Sequence, residues 1–294
     1  VTAYRISDTS GGFYVWLNQG AGGTNGRLGV GSTPTVPNSS YRNTSTGKGQ
    51  TIALVDVDSD NDKDVIMGTR TGANAGRYEV WFNNGFGVFS NNTGQYVYIA
   101  AGEVQSVVYG DFNADGLMDF AGGCKTTSSG NAGEIDVYFQ NATPGQFTKD
   151  ATYTAAGNVR CLAVGSMNND SSLDILAGSR TGTNTGVIEF WKNDGSGVFS
   201  SVDYVSADDP VTAVTVGEVD PDAALDVVAG NEGVSVQAWF CDNSQADDVL
   251  PAGESWSDAN TGGTVNAIAI GRVETSLDTP GSDGLNDIIV GTAI

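Results

Sequence analysis

Oxygen-bearing side chains recur at alternate positions in five short loops of this 294-residue chain. In DVDSDNDKD, positions 1, 3, 5 and 9 are Asp56, Asp58, Asp60 and Asp64; in DFNADGLMD they are Asp111, Asn113, Asp115 and Asp119. SMNNDSSLD offers Ser166, Asn168, Asp170 and Asp174, and EVDPDAALD offers Glu218, Asp220, Asp222 and Asp226. The fifth loop, RVETSLDTPGSDGLND, opens on Arg272 and carries extra residues. Asp283 and Asp287 fall in register there, with Glu274 and Asp278 as further candidates. Hard oxygen donors at alternate positions of a tight turn suit Ca²⁺, which takes six to eight oxygens at about 2.3–2.6 Å and tolerates irregular geometry. A backbone carbonyl near position 7 and water would complete the shell. The pattern predicts about three to five Ca²⁺ ions. Loops 1 and 4 should hold metal most tightly and loop 2 next. Loop 3, with two carboxylates, should hold it least, and loop 5 is an even choice. Mg²⁺ suits such flexible loops less well. Asx-rich turns without metal are the alternative reading of each loop.

Other chemistries are poorly served. The chain contains no His, which removes imidazole bases, Ser-His pairs and Zn-His sites. Glycoside hydrolysis needs two carboxyl groups about 5–9.5 Å apart, and no pair outside the loops stands out. The TGANAG and TGTNTG turns lack the Lys and the helix of a phosphate loop. No catalytic site and no organic cofactor is expected. With 35 acidic against 13 basic residues, the net charge is -22. That excess argues against nucleic acid or anionic membrane as partners and favours cations.

The elements that carry these loops repeat with them. QTIALVDVDSDNDKDVIMGT recurs as VQSVVYGDFNADGLMDFAGG, VRCLAVGSMNNDSSLDILAGS, VTAVTVGEVDPDAALDVVAG and VNAIAIGRVETSLDTPGSDGLNDIIVGT. The period is roughly 55 residues, near the length of one four-stranded propeller blade. After each glycine turn comes an alternating segment with an aromatic at one fixed place: Trp81, Tyr138, Trp191 and Trp239. A second aromatic follows, at Phe89, Phe147, Phe199 and Trp256, and then a weaker outer strand. An aromatic repeated once per blade at one strand position reads as core between blades. Trp256 and Tyr41 could stack on sugars, although Trp256 shares the core position of its repeat.

The chain ends in DIIVGTAI, a second strand with nothing after it, and opens with GFYVWLNQG, whose Trp16 matches Trp81. Together the termini would complete one blade. The expected fold is therefore all-β: residues 1–294 as a single five-bladed β-propeller, one blade shared between the N- and C-termini. Closing the ring would remove the exposed sheet edge. The competing arrangement is one unit of a tandem array, completed by a neighbour. Beginning at Val1, the chain reads as a processed form or part of something longer.

Composition agrees with a turn-rich fold, since 41 glycines occur without a Gly-X-Y period. No run approaches the roughly 18 apolar residues of a membrane span, so membrane insertion is not expected. Three cysteines, Cys124, Cys161 and Cys241, are too few for a disulfide scaffold, and their odd number leaves at least one without an internal partner. N-x-[ST] sequons at Asn38, Asn43, Asn91, Asn141 and Asn169 permit glycosylation in an exported protein.

The strand, acidic loop, strand ending in Gly, and the W-x-N-x-G-x-G-x-F run of VWFNNGFGVF and FWKNDGSGVF resemble the FG-GAP or VCBS repeats of integrin α-subunit-type propellers. The resemblance implies an extracellular Ca²⁺-binding propeller without catalysis, used in adhesion or in binding a glycan or protein ligand. Two alternatives stand beside it. One is a structural subunit of an extracellular filament or surface layer, whose partner is another copy of itself. The other is an accessory domain of a polysaccharide-active enzyme. Integrin-type propellers have seven blades where this chain has five loops, so no ligand site carries over.

Overall fold

The computed structural model describes residues 2–7, 10–14, 47–86, 88–91, 96–127, 131–168, 170–222, 224–233, 235–241, 255–258, 261–272 and 286–293. Short apolar alternations bounded by Gly, Asn and Asp make every element a strand; among the described residues there is no helix. A hairpin of β1 (Thr2–Ser7) and β2 (Ser10–Tyr14) comes first. The first repeat forms β3 (Lys48–Val55), β4 (Asp64–Gly72) and β5 (Ala75–Asn83), with an outer edge split between β6 (Phe89–Ser90) and β7 (Val97–Ile99). The second forms β8 (Glu103–Gly110), β9 (Asp119–Lys125), β10 (Gly133–Gln140) and β11 (Phe147–Ala155). The third forms β12 (Asn158–Gly165), β13 (Asp174–Arg180), β14 (Gly186–Asn193) and β15 (Phe199–Ala207). The fourth forms β16 (Val211–Gly217), β17 (Asp226–Asn231), β18 (Val236–Trp239) and β19 (Ser255–Asp258). Finally β20 (Thr264–Gly271) pairs with β21 (Asp287–Ala293). Within each sheet, neighbours are antiparallel and follow chain order, so the acidic loops all lie between first and second strands.

Successive sheets meet along their first strands, β3 beside β8, then β12, β16 and β20. The repeated aromatics fill the seams, as their spacing predicts. Tyr138 and Phe147 pack with Ile66, Tyr78 and Val80 of the preceding sheet. Trp191 and Phe199 pack with Phe112, Ala121 and Val137, and Trp239 packs with Leu176, Ile188 and Phe190. Phe120 is fully buried, stacked on Tyr138 at 4.8 Å and set edge-on to Phe147 at 4.9 Å. The side chains of Trp16, Tyr41 and Trp256 fall outside the described residues.

Every first strand carries one β-bulge at the same place, and the extra residue is polar: Gln50, Gln105, Arg160, Thr212 or Asn266. An unpaired residue is re-aimed away from its own ladder. Three of these side chains reach the next sheet: Gln50 Nε2 donates to Glu103 Oε1 at 2.8 Å, Arg160 pairs with Glu232, and Thr212 Oγ1 donates to the carbonyl of Val265. The bulges thus convert an apolar strand into a polar seam at one point.

The shared blade is described only in part: β2 pairs with β1 and β21 with β20, while residues 15–46, Trp16 among them, lie outside the described residues. Ala3 lies opposite Phe13 and Arg5 opposite Gly11, as Gly68 lies opposite Tyr78 and Arg70 opposite Gly76 in the first repeat. β1 therefore has second-strand spacing, and only two residues separate it from β2, so this local hairpin closes at far lower entropic cost than a pairing across the whole chain. β1 also lies against β3, the relation β4 has to β8. On β21, Ile289 is 50% exposed, whereas its counterparts Ile66, Ala121, Leu176 and Val228 are fully buried.

Because Phe120 has no room to be replaced by collapse around it, Phe120→Ala should lower stability by about 3–5 kcal/mol. Urea denaturation monitored by tryptophan fluorescence measures it; a loss under 1 kcal/mol would place the ring outside the core.

Candidate metal centre

In loops 1 to 4, position 9 begins the second strand and is an aspartate with no exposed surface: Asp64, Asp119, Asp174 and Asp226. A bare carboxylate there would be costly, and each is held by the same pair of backbone donors. One donor is the N–H of loop position 2: Val57 to Asp64 at 2.9 Å, Phe112 to Asp119 at 3.0 Å, Met167 to Asp174 at 3.0 Å and Val219 to Asp226 at 2.7 Å. The other comes from two residues past the repeated aromatic: Asn83, Gln140, Asn193 and Cys241, at 2.8, 2.8, 2.9 and 3.0 Å. One carboxylate thereby joins the loop, the second strand and the end of the third.

The loop turns back on itself through left-handed residues. In loop 1 these are Ser59 (φ 62°) and Asn61 (φ 71°), and in loop 2 Ala114 (φ 58°) and Gly116 (φ 86°). Non-glycine residues in this region are held there by their surroundings, and the turn faces backbone N–H groups toward the side-chain oxygens. Asp56 Oδ2 accepts from Asn61 N at 3.0 Å, and Asp60 Oδ1 from Asp62 N at 2.8 Å.

What remains in loop 1 is an oxygen cluster. One oxygen each of Asp56, Asp58 and Asp64 lies within 4.8 Å of the others. Oδ1 of Asp56 and Oδ1 of Asp58 are buried without a hydrogen-bond partner. Two oxygens bound to one Ca²⁺ stand up to about 5 Å apart, so this spacing fits a shared cation. Buried orphan acceptors call for a partner, and a cation would supply it. These three residues can hold a metal ion. Asp60 does not join the cluster.

Elsewhere the predicted ligands bond chiefly to their own loops. Asp111 accepts from Asp115 N and Gly116 N, and Asn113 Nδ2 donates to Asp115 Oδ2 at 3.2 Å. Asn168 Nδ2 donates to Asp170 Oδ2 at 2.7 Å in loop 3, where Ser166 precedes the turn. In loop 4, Asp220 accepts from Asp222 N and Asp222 from Ala224 N, while the Glu218 carbonyl accepts from Asn286 Nδ2 at 2.8 Å. Asp287 opens β21. Asp283, Glu274 and Asp278 lie outside the described residues. Among the described residues, only loop 1 gathers three acidic ligand atoms this closely.

A second set of buried acids escaped sequence reasoning. Glu79, Asp136 and Glu189 each sit two residues before the repeated aromatic and are nearly or wholly buried. Asp136 accepts from Ala101 N at 2.8 Å, Tyr78 OH at 3.1 Å and Thr152 Oγ1 at 2.8 Å, and pairs with Lys149 Nζ at 2.6 Å. Glu189 accepts from Ala156 N at 3.0 Å. Asp136 and Glu189 thus fasten the Ala-Ala-Gly crossovers between sheets, while Glu79 accepts from Trp81 Nε1. The available signal was an acidic residue at a fixed inward position of an apolar strand. The three cysteines are free, and burial pushes the Cys124 and Cys161 thiols up to about 12.

Desolvation by burial raises Asp64 and Asp119 from the ordinary 3.8 to about 6, opposed by their backbone donors and reinforced by neighbouring loop carboxylates. A folded value above the unfolded one means that the protonated form stabilises the fold. That contribution is complete below about pH 4 and is lost as pH rises through 6. In chelator, the melting temperature should therefore rise on acidification from pH 7 to pH 5. A flat or falling profile in differential scanning calorimetry would contradict the burial of these acids. Removing the position-9 carboxylate by Asp119→Ala orphans two buried N–H groups and should cost about 2–5 kcal/mol in chelator, against under 1 kcal/mol for Asp115→Ala.

The chain matches no curated protein. Residues 56–122, running from the first ligand of loop 1 through loop 2 into β9, match the family model described as an FG-GAP-like repeat.

Proposed function

We propose that this chain is a calcium-clamped β-propeller acting outside the cell as a non-catalytic binding module for a glycan or protein ligand. The observation that carries the reading is loop 1, where Asp56, Asp58 and Asp64 converge and two of their oxygens lack a partner. The FG-GAP-like match covers that loop and the next, and repeats of this kind often bind Ca²⁺ and are typically non-catalytic. Loop 2 (Asp111, Asn113, Asp115, Asp119) and loop 4 (Glu218, Asp220, Asp222, Asp226) offer similar oxygen sets and would take ions of their own. In this reading the fifth blade is assembled from the β20–β21 hairpin and the β1–β2 hairpin. Support comes from β1, which stands to β3 as β4 stands to β8.

The metal would supply positive charge to a loop whose carboxylates otherwise repel. Asp56, Asp58 and Asp64 would hold it, while the backbone donors on Asp64 fix where the loop meets the sheet. Its effect is on shape, with ligand recognition left to exposed loops at the sheet ends.

A second reading, a subunit of an extracellular filament, is favoured by β21. Its outer edge is unpaired among the described residues and Ile289 is exposed, and such an edge is a template for another strand.

Ca²⁺ that binds only the native state at a hundredfold excess over its dissociation constant should add about 2.7 kcal/mol per site. Chelation should accordingly lower the melting temperature by several degrees; a change under about 2 °C would defeat the clamp. A glycan array run in Ca²⁺ tests the ligand class, and electron microscopy of native material tests the filament, which isolated particles alone would exclude.

A further inference from the structure

We propose that Glu189, Trp191 and Tyr153 form a binding site for a small primary alkylamine in the seam between the second and third sheets. The seam between the first and second sheets shows what such a constellation holds. There Asp136, wholly buried on β10, accepts from the crossover N–H of Ala101 at 2.8 Å and pairs with Lys149 Nζ at 2.6 Å. The same ammonium stands over the Tyr138 ring, 5.7 Å from its centroid. Tyr98 of the first sheet lies beside it, its ring 5.6 Å from that of Tyr138 and its hydroxyl accepting from Phe147 N at 3.0 Å. A carboxylate and an aromatic face acting on one ammonium attract it strongly where water is excluded.

The third sheet repeats this arrangement without the cation. Glu189 stands for Asp136 and accepts from Ala156 N at 3.0 Å. Trp191 stands for Tyr138, and Tyr153 for Tyr98, with its ring 5.6 Å from the Trp191 ring and its hydroxyl accepting from Phe199 N at 3.1 Å. Register identifies the missing member. Lys149 lies opposite Tyr138 at a bulge, and the residue opposite Trp191 at the corresponding bulge is Ser201. A serine hydroxyl cannot neutralise a carboxylate, and among the described residues no Lys or Arg reaches Glu189, whose oxygens share the one donor of Ala156. Glu189 is 4% exposed, so its charge is undercompensated.

Room for a ligand lies beside it. A cavity of about 420 Å³ is bordered by Ala156, the donor to Glu189, and by Val187 and Ser206. Val187, Glu189 and Trp191 are alternate residues of β14 and share one face, and Ser206 lies opposite Val187 on that face. Gly186 and Ala207 add further small borders. The volume falls within the range of small-molecule sites, roughly 300–1,000 Å³. Its small, largely apolar walls suit an alkyl chain whose ammonium meets Glu189 and the Trp191 face, and indole attracts a cation better than phenol does. The net charge of -22 concentrates cations around the chain. None of the acidic-loop oxygens takes part, so the site stands apart from the calcium reading.

The test is a titration of the whole chain with n-butylamine, in excess Ca²⁺ and physiological salt to keep the amine off the acidic loops. It is read from the ¹⁵N-indole resonances, with that of Trp191 assigned by its loss in Trp191→Phe. The expected result is a saturable shift of the Trp191 resonance with n-butylamine and none with n-butanol. Glu189→Gln should weaken binding by about tenfold or more. Ser201→Lys, at an exposed position, copies the second sheet and should abolish the shift by supplying an ammonium from the chain itself. It decides the matter alone if Glu189→Gln folds poorly. No shift at Trp191, an equal response to n-butanol, or an unchanged titration in Ser201→Lys would overturn the site.

Discussion

Four buried aspartates organise this molecule. Each sits where a loop becomes a strand, has no exposed surface, and receives one backbone N–H from its own loop and one from the strand beyond the repeated aromatic. A carboxylate in that setting is a covalently tethered hydrogen-bond acceptor with fixed directions. It sets the distance between the loop and the third strand, and hence the seam in which Tyr138, Trp191 and Trp239 are packed. Burial raises Asp64 and Asp119 to about 6, so the arrangement carries an electrostatic debt at neutral pH that a cation in the loop can discharge.

The same economy of carboxylates appears a second time. Asp136 and Glu189 lie deep in third strands and take the backbone N–H groups of Ala101 and Ala156, where the chain passes from one sheet to the next. Bulged Gln50, Arg160 and Thr212 add polar contacts across the first strands. Acidic residues in this chain are therefore of two kinds. Some lie in the loops, where Asp56, Asp58 and Asp64 could hold a metal ion, and others are internal fasteners. A count of carboxylates alone does not separate them.

The loops are not equivalent, and the difference is local. Loop 1 leaves oxygens of Asp56 and Asp58 without hydrogen-bond partners, whereas loop 2 satisfies Asp111 through Asp115 N and Gly116 N. An asparagine at position 3 supplies a donor of its own and closes the loop internally, as Asn113 and Asn168 both do.

Much of this was legible in the residues. The period near 55, the strand between each loop and the aromatic, and the burial of those aromatics follow from alternation and repetition, which local chain geometry reads directly. The convergence of Asp56, Asp58 and Asp64 in loop 1 was legible from their spacing, since side chains at alternate positions of a tight turn face one centre. Three things required the tertiary structure. The position-9 aspartate of loops 1 and 2 bonds to a residue 19 or 21 positions away, so its second role depends on a strand pairing that no local pattern reveals. Asn193 meets Phe112 across 81 positions, through the contact of two sheets. And the pairing of β2 with β1, a hairpin closed by two residues, was not evident from the alternation of the N-terminal segment.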